Sequence, residues 1–278
     1  MPRRQRLDAE LVRRGLARSR DHAAELVLAG RVTVSGAAAT KPATGVTTDA
    51  AIVVRDDPSR PDYVSRGGHK LAGALDAFAG AGLDVAERRC LDAGASTGGF
   101  TDVLLRRGAR EVVAVDVGYG QLAWSLRQDP RVAVHDRTNI RELTPQLVGD
   151  PVDVVVGDLS FISLVLVLDP IISVTDPGGD LVLMVKPQFE VGKDRVGKGG
   201  VVRDPALRAA AVAAVADAAR ERGWGAVGVT PSPLPGPSGN VEFFLWLRRG
   251  PAAVTDAERD AVVRAGTGPS APGEKVGP

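Results

Sequence analysis

A few charged residues of this chain stand where a globular protein rarely puts them, and together they could move a proton. The stretch LVLMVKPQFE is an apolar run that ends in Lys186, and a proline follows at once. Lysine is scarce here, with six among 35 basic residues. Burial can turn a lysine amine into a base, whereas arginine stays protonated. Lys186 is therefore a candidate base, although a lysine at a strand end can also extend to solvent.

Two carboxylates and a second lysine stand in comparable positions. Asp158 ends the apolar run VVVGDL, Glu242 is the only acid in GNVEFFLWL, and Lys70 begins a helix in SRGGHKL. We expect all four side chains to converge on one rim of a sheet. An acid beside Lys186 would offset part of the cost of burying that lysine. For Glu242 alone, a charge that protects an edge strand from aggregation is the alternative.

The segment CLDAGASTGGF, residues 90–100, indicates a strand, a glycine-rich turn and a helix start, the usual cofactor loop of doubly wound sheets. A dinucleotide site needs Gly-x-Gly-x-x-Gly, but Ser96 interrupts that pattern and Asp92 would face the pyrophosphate. GASTG also matches the nucleophile elbow of hydrolases, but the only later histidine is His135, close behind it. A plain tight turn is the alternative without a ligand.

S-adenosylmethionine suits this loop better, because it is cationic at sulfur and carries no phosphate. Glycines let the backbone approach it closely, and an acid beside the loop is favourable. Asp116 closes the next strand, VVAVD, and could accept both ribose hydroxyls. The position of Asp116 alone is equally compatible with NAD, so the chemistry of the glycine loop decides between the two cofactors. The residues that we expect to bind the cofactor are Asp92, Gly94, Ala95, Ser96, Thr97, Gly98, Gly99, Phe100, Asp116 and Asp158.

Strands and helices alternate through the region that carries these residues. With the alanine-rich helix between Pro205 and Arg222, this alternation predicts an α/β, Rossmann-like sheet of about seven mostly parallel strands. Only PSPLPGPSGN separates the last two strands, so we expect the last one to be antiparallel. The strand candidates are RCLDA, EVVAVD, RVAVHD, VDVVVGDL, DLVLMVK, AVGVT and VEFFLWLR.

A smaller α+β segment precedes this sheet. Leu7 and Leu11, four residues apart, indicate a helix that stops at Gly15. Ser19 can cap a second helix, which Gly30 ends. RVTV, followed by a turn, and AAIVVRD indicate strands.

Turn-forming residues at 56–62 mark the boundary between the two parts. Near the C-terminus, Thr255 and Glu258 can form a capping box, and the last residues are rich in glycine and proline. We predict three segments: a small α+β domain at 1–60, an α/β domain that carries the candidate site at 61–250, and a short helix with a disordered tail at 251–278.

Composition argues against several other classes. Cys90 is the sole cysteine, which excludes an internal disulfide and fits the cytoplasm. The three histidines are scattered, so we expect no metal. The longest apolar stretch is broken by Asp169 and Pro170, whereas a membrane helix needs about 20 apolar residues. We expect no membrane partner and a monomer.

The motifs taken together resemble the TlyA family, which joins an N-terminal S-four-type RNA-binding domain to an FtsJ-like methyltransferase domain. The resemblance covers nearly the whole chain, from Arg4 to about Arg248. Before Lys70 the linker has the sequence RPDYVSRGG. The motifs that carry the resemblance are SRGGHKL, LDAGASTGGFTDVLL, VVAVDVGYGQL, GDLSFISL, VKPQFEVGK, GGVVRDP and GPSGNVEFFLWL.

The resemblance implies an activity and a set of catalytic residues. FtsJ-like enzymes use a Lys-Asp-Lys-Glu tetrad for ribose 2′-O-methylation, and the matching residues are Lys70, Asp158, Lys186 and Glu242. The family methylates the 2′-hydroxyl of a cytidine in ribosomal RNA, in some members in both subunits. It has also been labelled a hemolysin. The implied partners are ribosomal RNA or ribosomal subunits, and a non-catalytic RNA-binding protein or a membrane-active hemolysin is the alternative.

The N-terminal segment carries the charge that RNA contact requires. Residues 1–41 hold nine basic and four acidic groups, in a chain whose net charge is +1. Basic groups so concentrated suit phosphate contacts, although a solvated helical face is the alternative. With the family resemblance, RNA contact is the better interpretation. The candidate RNA-binding residues are Arg4, Arg6, Arg18, Arg20 and Lys41.

Overall fold

The computed structural model describes residues 4–55, 57, 61–236 and 238–266. The chain divides into two units, residues 1–64 and 65–278. The predicted tail after residue 266 and most of the predicted linker lie outside the described residues, and the domain boundary near residue 60 stays a prediction. Within the described residues, no helix is both long enough and apolar enough to cross a membrane.

The first unit packs two helices against short antiparallel strands. Its core includes Leu7 and Leu11 from one helix and Leu26 from the other. As predicted, the Ser19 side chain caps the second helix by accepting a hydrogen bond from the backbone N–H of His22. The elements are β1 (Gln5–Arg6), α1 (Leu7–Arg13), α2 (Arg20–Leu28), β2 (Val32–Val34), β3 (Ala37–Ala38), β4 (Gly45–Val46) and β5 (Ile52–Val54).

The described residues of the second unit form a seven-stranded sheet with helices. The elements are α3 (Gly67–Ala79), β6 (Arg89–Ala93), α4 (Gly99–Arg106), β7 (Glu111–Val115), α5 (Trp124–Arg127), β8 (Val132–His135), α6 (Pro145–Val148), β9 (Val152–Gly157), α7 (Leu168–Ser173), β10 (Thr175–Val185), α8 (Pro187–Glu190), α9 (Pro205–Glu221), β11 (Trp224–Pro231), β12 (Phe243–Arg249) and α10 (Asp256–Ala265). Short 3-10 helices cover Ile140–Glu142, Leu164–Val167, Lys193–Arg195 and Lys198–Gly200.

The strand order of this sheet is β11-β12-β10-β9-β6-β7-β8. Strands β6 to β10 pair in parallel, whereas β12 runs antiparallel to both of its neighbours. The order therefore reverses between β6 and β9, and in such sheets ligands bind outside the carboxyl ends of the strands at that point. The predicted α/β sheet and its antiparallel last strand are confirmed.

The register places the start of β12 beside the end of β10. Val185 pairs with Phe243, so the residues just beyond them, Lys186 and Glu242, lie at the same rim. The preceding stretch of β10, from Leu181 to Val185, is buried, as its unbroken apolar sequence predicts for a strand covered on both faces. Because β12 lies between two other strands, Glu242 is not the protective charge of an edge strand, and that interpretation is wrong.

The C-terminal helix α10 begins as the sequence predicts. The Thr255 hydroxyl accepts a hydrogen bond from the Glu258 backbone N–H, and the Glu258 carboxylate accepts one from the Thr255 backbone N–H. This reciprocal capping box satisfies two backbone donors that have no partner within the helix.

Candidate active site

A cleft of about 870 Å³ opens over the carboxyl ends of β6, β9 and β10. All of the residues around it belong to the second unit. Four of them are the lysines and acids that the sequence singled out: Lys70, Asp158, Lys186 and Glu242.

Lys186 and Asp158 form one ion pair at this rim. The Lys186 Nζ lies 2.6 Å from Asp158 Oδ1 and donates a hydrogen bond to the Ser160 hydroxyl at 2.8 Å. The Lys186 side chain is only 8% exposed, whereas the Asp158 side chain is 25% exposed. The ammonium does not extend to solvent, so the alternative of a lysine that reaches solvent from a strand end is wrong. The apolar end of β10 carries Lys186 into the cleft, and two oxygens from the loop after β9 hold it there.

Lys70 and Glu242 form the second ion pair. The Lys70 Nζ donates to Glu242 Oε2 at 2.5 Å, and the Glu242 side chain is fully buried. Lys70 lies in the first turn of α3, while Glu242 immediately precedes β12. Burying a carboxylate is expensive unless a cation and hydrogen bonds compensate, and Lys70 supplies that cation.

Two further residues support Glu242 and were not predicted. The Gln188 amide lies 3.5 Å from Glu242 Oε1, two residues after Lys186 on the same segment. Gly236 leaves the space that the carboxylate occupies, because a Cβ there would lie 2.5 Å from Glu242 Oε1. Gln188 thus links the segment that carries Lys186 to the second ion pair.

The glycine loop after β6 forms another wall of the cleft. Gly94 has a φ of +84°, and a Cβ there would lie 3.1 Å from the backbone oxygen of Asp158. Glycine at this position therefore lets the loop approach the end of β9. Of the predicted cofactor-binding residues, those that line the cleft are Gly94, Ala95, Ser96, Thr97, Gly99, Phe100 and Asp158.

Asp116, Gly98 and Asp92 do not line the cleft. Asp116 accepts backbone hydrogen bonds from Ser96 at 2.8 Å and from Gly118 at 2.6 Å, so its carboxylate holds the glycine loop against the end of β7. Gly98, with a φ of +99°, packs against Leu126. Asp116 is partly exposed, which leaves its remaining lone pairs open to a ligand.

Asp92 lies behind the loop, fully buried. Its Oδ2 accepts hydrogen bonds from the Thr101 backbone N–H at 2.9 Å and hydroxyl at 2.7 Å, whereas its Oδ1 is buried with no hydrogen-bond partner among the residues that the structure describes. Burial raises the pKa of Asp92 to about 7, with smaller contributions from Asp158 and Asp116 against the lowering effect of the Thr101 hydrogen bonds. Asp92 supports the start of α4 instead of facing the cleft.

The raised pKa of Asp92 predicts a pH-dependent stability. The folded state keeps a proton that the unfolded chain releases near pH 4, so this contribution to stability is lost as pH rises towards 7. An asparagine at this position would imitate the protonated side chain. In thermal or urea unfolding, we expect Asp92→Asn to gain about 3 kcal/mol relative to the wild type between pH 5 and pH 8. An offset that is the same at both pH values would contradict the raised pKa.

Comparisons with known proteins agree with this geometry. The FtsJ-like methyltransferase profile matches residues 63–249, and the S4 domain profile matches residues 5–52. The 16S/23S rRNA (cytidine-2'-O)-methyltransferase TlyA of Mycobacterium tuberculosis is 62% identical over 95% of this chain and 98% of its own length. The chain belongs to the TlyA family of FtsJ-like methyltransferases.

Two further similar proteins support the assignment. YqxC of Bacillus subtilis is 43% identical over 88% of this chain and 86% of its own length. A solved structure of a hemolysin-named protein from Streptococcus thermophilus covers 95% of both chains, with a TM-score of 0.70 and 35% identity. The match therefore extends over both units of this TlyA-family chain.

The S4 unit of this TlyA-family chain brings part of the predicted basic set together. Arg6 and Arg20 both bind Asp8, at 2.7 and 3.2 Å, and border one surface depression. The Arg6 guanidinium is the main cause that lowers the pKa of Asp8 to about 2. Arg4 and Lys41 are exposed.

Arg18 differs from the other predicted RNA contacts. Its guanidinium binds the carboxylate of Asp62 at 2.7 Å and donates to the backbone oxygen of Tyr63 at 3.0 Å. His22 lies 2.9 Å from the same carboxylate. Arg18 thus adds positive charge to the S4 domain and also holds the segment that follows this domain, through Asp62 and Tyr63.

The hydrolase alternative also lacks support in the structure. The Ser96 hydroxyl donates to the amide oxygen of Gln121 at 3.4 Å, and no histidine lines the described part of the cleft. His135 ends β8, two strands away from β6. In the described part of the chain, Ser96 consequently has no histidine beside it that could act as a base.

Proposed function

We propose that this chain transfers a methyl group from S-adenosylmethionine to the 2′-hydroxyl of a cytidine in ribosomal RNA. The proposal rests above all on Lys186, a buried ammonium that Asp158 and Ser160 hold inside a cleft at the carboxyl end of the sheet. The relative of M. tuberculosis is named for the same reaction on 16S and 23S rRNA. The proposed place of action is the cytoplasm.

The residues around the cleft fit S-adenosylmethionine. Gly94 brings the loop to the end of β9 without a side chain of its own, which leaves room there for the flat, uncharged nucleoside part of the cofactor. Asp116 presents free lone pairs for ribose hydroxyls, and Asp158 brings a negative charge to the sulfonium. When bound, the cofactor supplies a methyl group as the equivalent of a methyl cation, and its sulfur keeps the bonding electrons.

Lys186 is the residue that we assign to the hydroxyl of the substrate. Its neutral amine would hold the 2′-oxygen in line with the methyl group and take the hydroxyl proton as the new oxygen–carbon bond forms. The proton that Lys186 must first release has an exit through Asp158, whose carboxylate reaches the solvent. Positioning of this kind supplies much of the rate in group transfer.

Lys70 and Glu242 would hold the ribose. Lys70 leaves donor capacity beyond its bond to Glu242 and can bind a sugar oxygen. Glu242 keeps that ammonium in place and balances its charge within a buried environment. The two ion pairs balance their own charges, and once Lys186 has released its proton the carboxylate of Asp158 is left to face the cationic donor.

The decisive experiment is methyl transfer by the purified full-length protein. Ribosomal subunits and naked ribosomal RNA from cells that lack the protein are incubated with tritiated S-adenosylmethionine, and 2′-O-methylated nucleotides are mapped. We expect label at one or a few cytidines. Label on a base instead of a ribose, or no label on any ribosomal RNA, would overturn the proposal.

The basic surface of the S4 unit is the proposed RNA-binding surface. Arg6→Ala with Arg20→Ala removes two guanidiniums, so we expect RNA affinity to fall about ten-fold at moderate salt. The slope of log affinity against log salt should become shallower by about 2, near one unit for each phosphate that is no longer neutralised. Binding of S-adenosylhomocysteine should not change.

Arg264→Ala is the matched control for this pair, because Arg264 is an exposed arginine of α10, outside the S4 unit. It should leave both the RNA affinity and the salt slope as they are. An unaltered slope in the Arg6 and Arg20 variant would show that these arginines do not contact phosphate.

A further inference from the structure

Glu190 is a largely buried carboxylate that the proposed mechanism does not use. It ends the short helix α8, four residues after Lys186. Its Oε2 accepts a hydrogen bond from the Ser163 hydroxyl at 2.6 Å, and its Oε1 accepts one from the Leu164 backbone N–H at 2.8 Å. Within the described ranges, no basic side chain forms an ion pair with Glu190.

The partners of Glu190 lie at the far end of the loop that carries Asp158. That loop leaves β9 at Gly157 and enters the 3-10 helix Leu164–Val167, whose N-cap is Ser163. Its near end is fixed because the Asp158 backbone N–H donates to Ala93 in β6. Glu190 fixes the far end by engaging the capping residue and the first N–H of the 3-10 helix.

The segment 186–190 therefore grips this loop at three successive points. Lys186 binds Asp158 and Ser160. Phe189 packs against Phe161 with the rings tilted and their centroids 5.2 Å apart, and Glu190 binds the end of the loop. The first contact is the ion pair at the centre of the cleft. Of these three contacts, only that of Glu190 neither faces the substrate nor is exposed at the rim.

The loop between these anchors is strained. Phe161 has a φ of +63°, a left-handed conformation that is unfavourable for a bulky residue, and its side chain is 91% exposed. Such a conformation costs of the order of 1–3 kcal/mol and persists only when surrounding contacts enforce it. The contact between two rings at the surface is a weak restraint, so the partly buried hydrogen bonds of Glu190 to Ser163 and Leu164 are the stronger one.

The electrostatics of Glu190 agree with a tether. Burial raises the pKa of its carboxyl, and the hydrogen bonds from Ser163 and Leu164 oppose that effect. Glu190 is a partly buried carboxylate with no paired cation among the described residues, which is unfavourable, and the two hydrogen bonds across the loop offset that cost.

We propose that Glu190 is a positioning residue that ties the loop 158–163 to the segment after β10 and so sets the geometry of the Lys186–Asp158 pair. This inference rests on the proposed methyl transfer, because its consequence is measured as a turnover. Loss of the tether would let the strained loop relax, so that Asp158 and Ser160 no longer hold the Nζ of Lys186.

The test compares Glu190→Ala and Glu190→Gln in the full chain. We expect Glu190→Ala to lower kcat 10- to 100-fold, with the Kd of S-adenosylhomocysteine and the KM for RNA within about two-fold of the wild type. Glu190→Gln should stay within about three-fold of the wild-type kcat. Its amide oxygen can accept from Leu164, and its amide nitrogen can donate to Ser163, whose hydroxyl is free to rotate.

A matched control separates positioning from general stability. Glu258 also accepts from a hydroxyl and a backbone N–H at the start of a helix, but it lies in α10. Glu258→Ala should lower the Tm by an amount similar to that of Glu190→Ala and leave kcat unchanged. Full activity of Glu190→Ala at a temperature where it is folded, or equal losses in the alanine and glutamine variants, would overturn the tether.

Two further measurements keep this test distinct from that of the activity. The effects of Ser163→Ala and Glu190→Ala on kcat should be less than additive in a double-mutant cycle, because both variants remove the hydrogen bond between these two side chains. Hydrogen exchange at residues 160–164, without RNA, should accelerate in Glu190→Ala. Unchanged exchange would overturn the tether, whereas a wild type that methylates no RNA would overturn the proposed function alone.

Discussion

Replacing Lys186 with alanine is expected to lower the rate of methyl transfer about 10³-fold and to leave cofactor binding largely intact. The size follows from the loss of a positioned base, which contributes 10²- to 10⁴-fold in enzymes. The cofactor loop after β6 does not depend on the Lys186 side chain, whose contacts are with Asp158 and Ser160. Initial rates with tritiated S-adenosylmethionine and calorimetric titration with S-adenosylhomocysteine would measure the two effects.

Lys186→Arg separates charge from basicity at the same position. Arginine keeps the positive charge beside Asp158 but stays protonated, so it cannot accept the hydroxyl proton. We expect its activity to be close to that of the alanine variant. Activity near the wild-type level in Lys186→Arg would show that Lys186 acts only as a cation, and activity in Lys186→Ala would remove it from the chemistry.

Lys193→Ala is the matched control for these variants. Lys193 follows Lys186 by seven residues and is exposed in a 3-10 helix. Its loss removes the same charge from the same part of the chain, so general electrostatic effects on RNA binding should be equal in the two variants. A turnover that falls as far in Lys193→Ala would attribute the effect to charge near the cleft and not to Lys186.

The sheet was predictable because its pattern is local. The runs VVV in β9 and LVLMV in β10 are buried on both faces, so their unbroken apolar sequences predict these two central strands. The rim was predictable for the same reason, since Asp158 and Lys186 stand directly at the ends of two such runs. The register that sets Glu242 beside Lys186 follows once the last strand is antiparallel.

What the sequence did not predict depends on contacts between distant segments. Ser160 and Gln188 are ordinary polar residues, and only the fold brings them to Lys186 and Glu242. Asp92 belongs to the glycine motif, which suggested that it faces a ligand, yet the pleat turns it into the core beneath α4. Arg18 counts as one more basic residue until the structure shows that it binds Asp62.

The Lys70–Glu242 pair predicts the second large effect, on stability. Lys70→Met leaves the Glu242 carboxylate buried without its cation, so we expect the free energy of unfolding to fall by about 3–5 kcal/mol. Adding Glu242→Gln removes the uncompensated charge and should restore most of that loss. Urea unfolding at neutral pH would measure all three proteins, and both variants should have lost methyl transfer.

The exposed pair of Arg107 and Asp76 is the control for this cycle. Their side chains are 38% and 65% exposed, so Arg107→Met should cost less than about 1 kcal/mol. A loss equally small in Lys70→Met would mean that water reaches Glu242 and that the inner end of the cleft is wet. If the double variant regains stability but not methyl transfer, the ion pair is retained for its chemistry. A neutral pair then folds as well as the charged one but cannot bind the ribose.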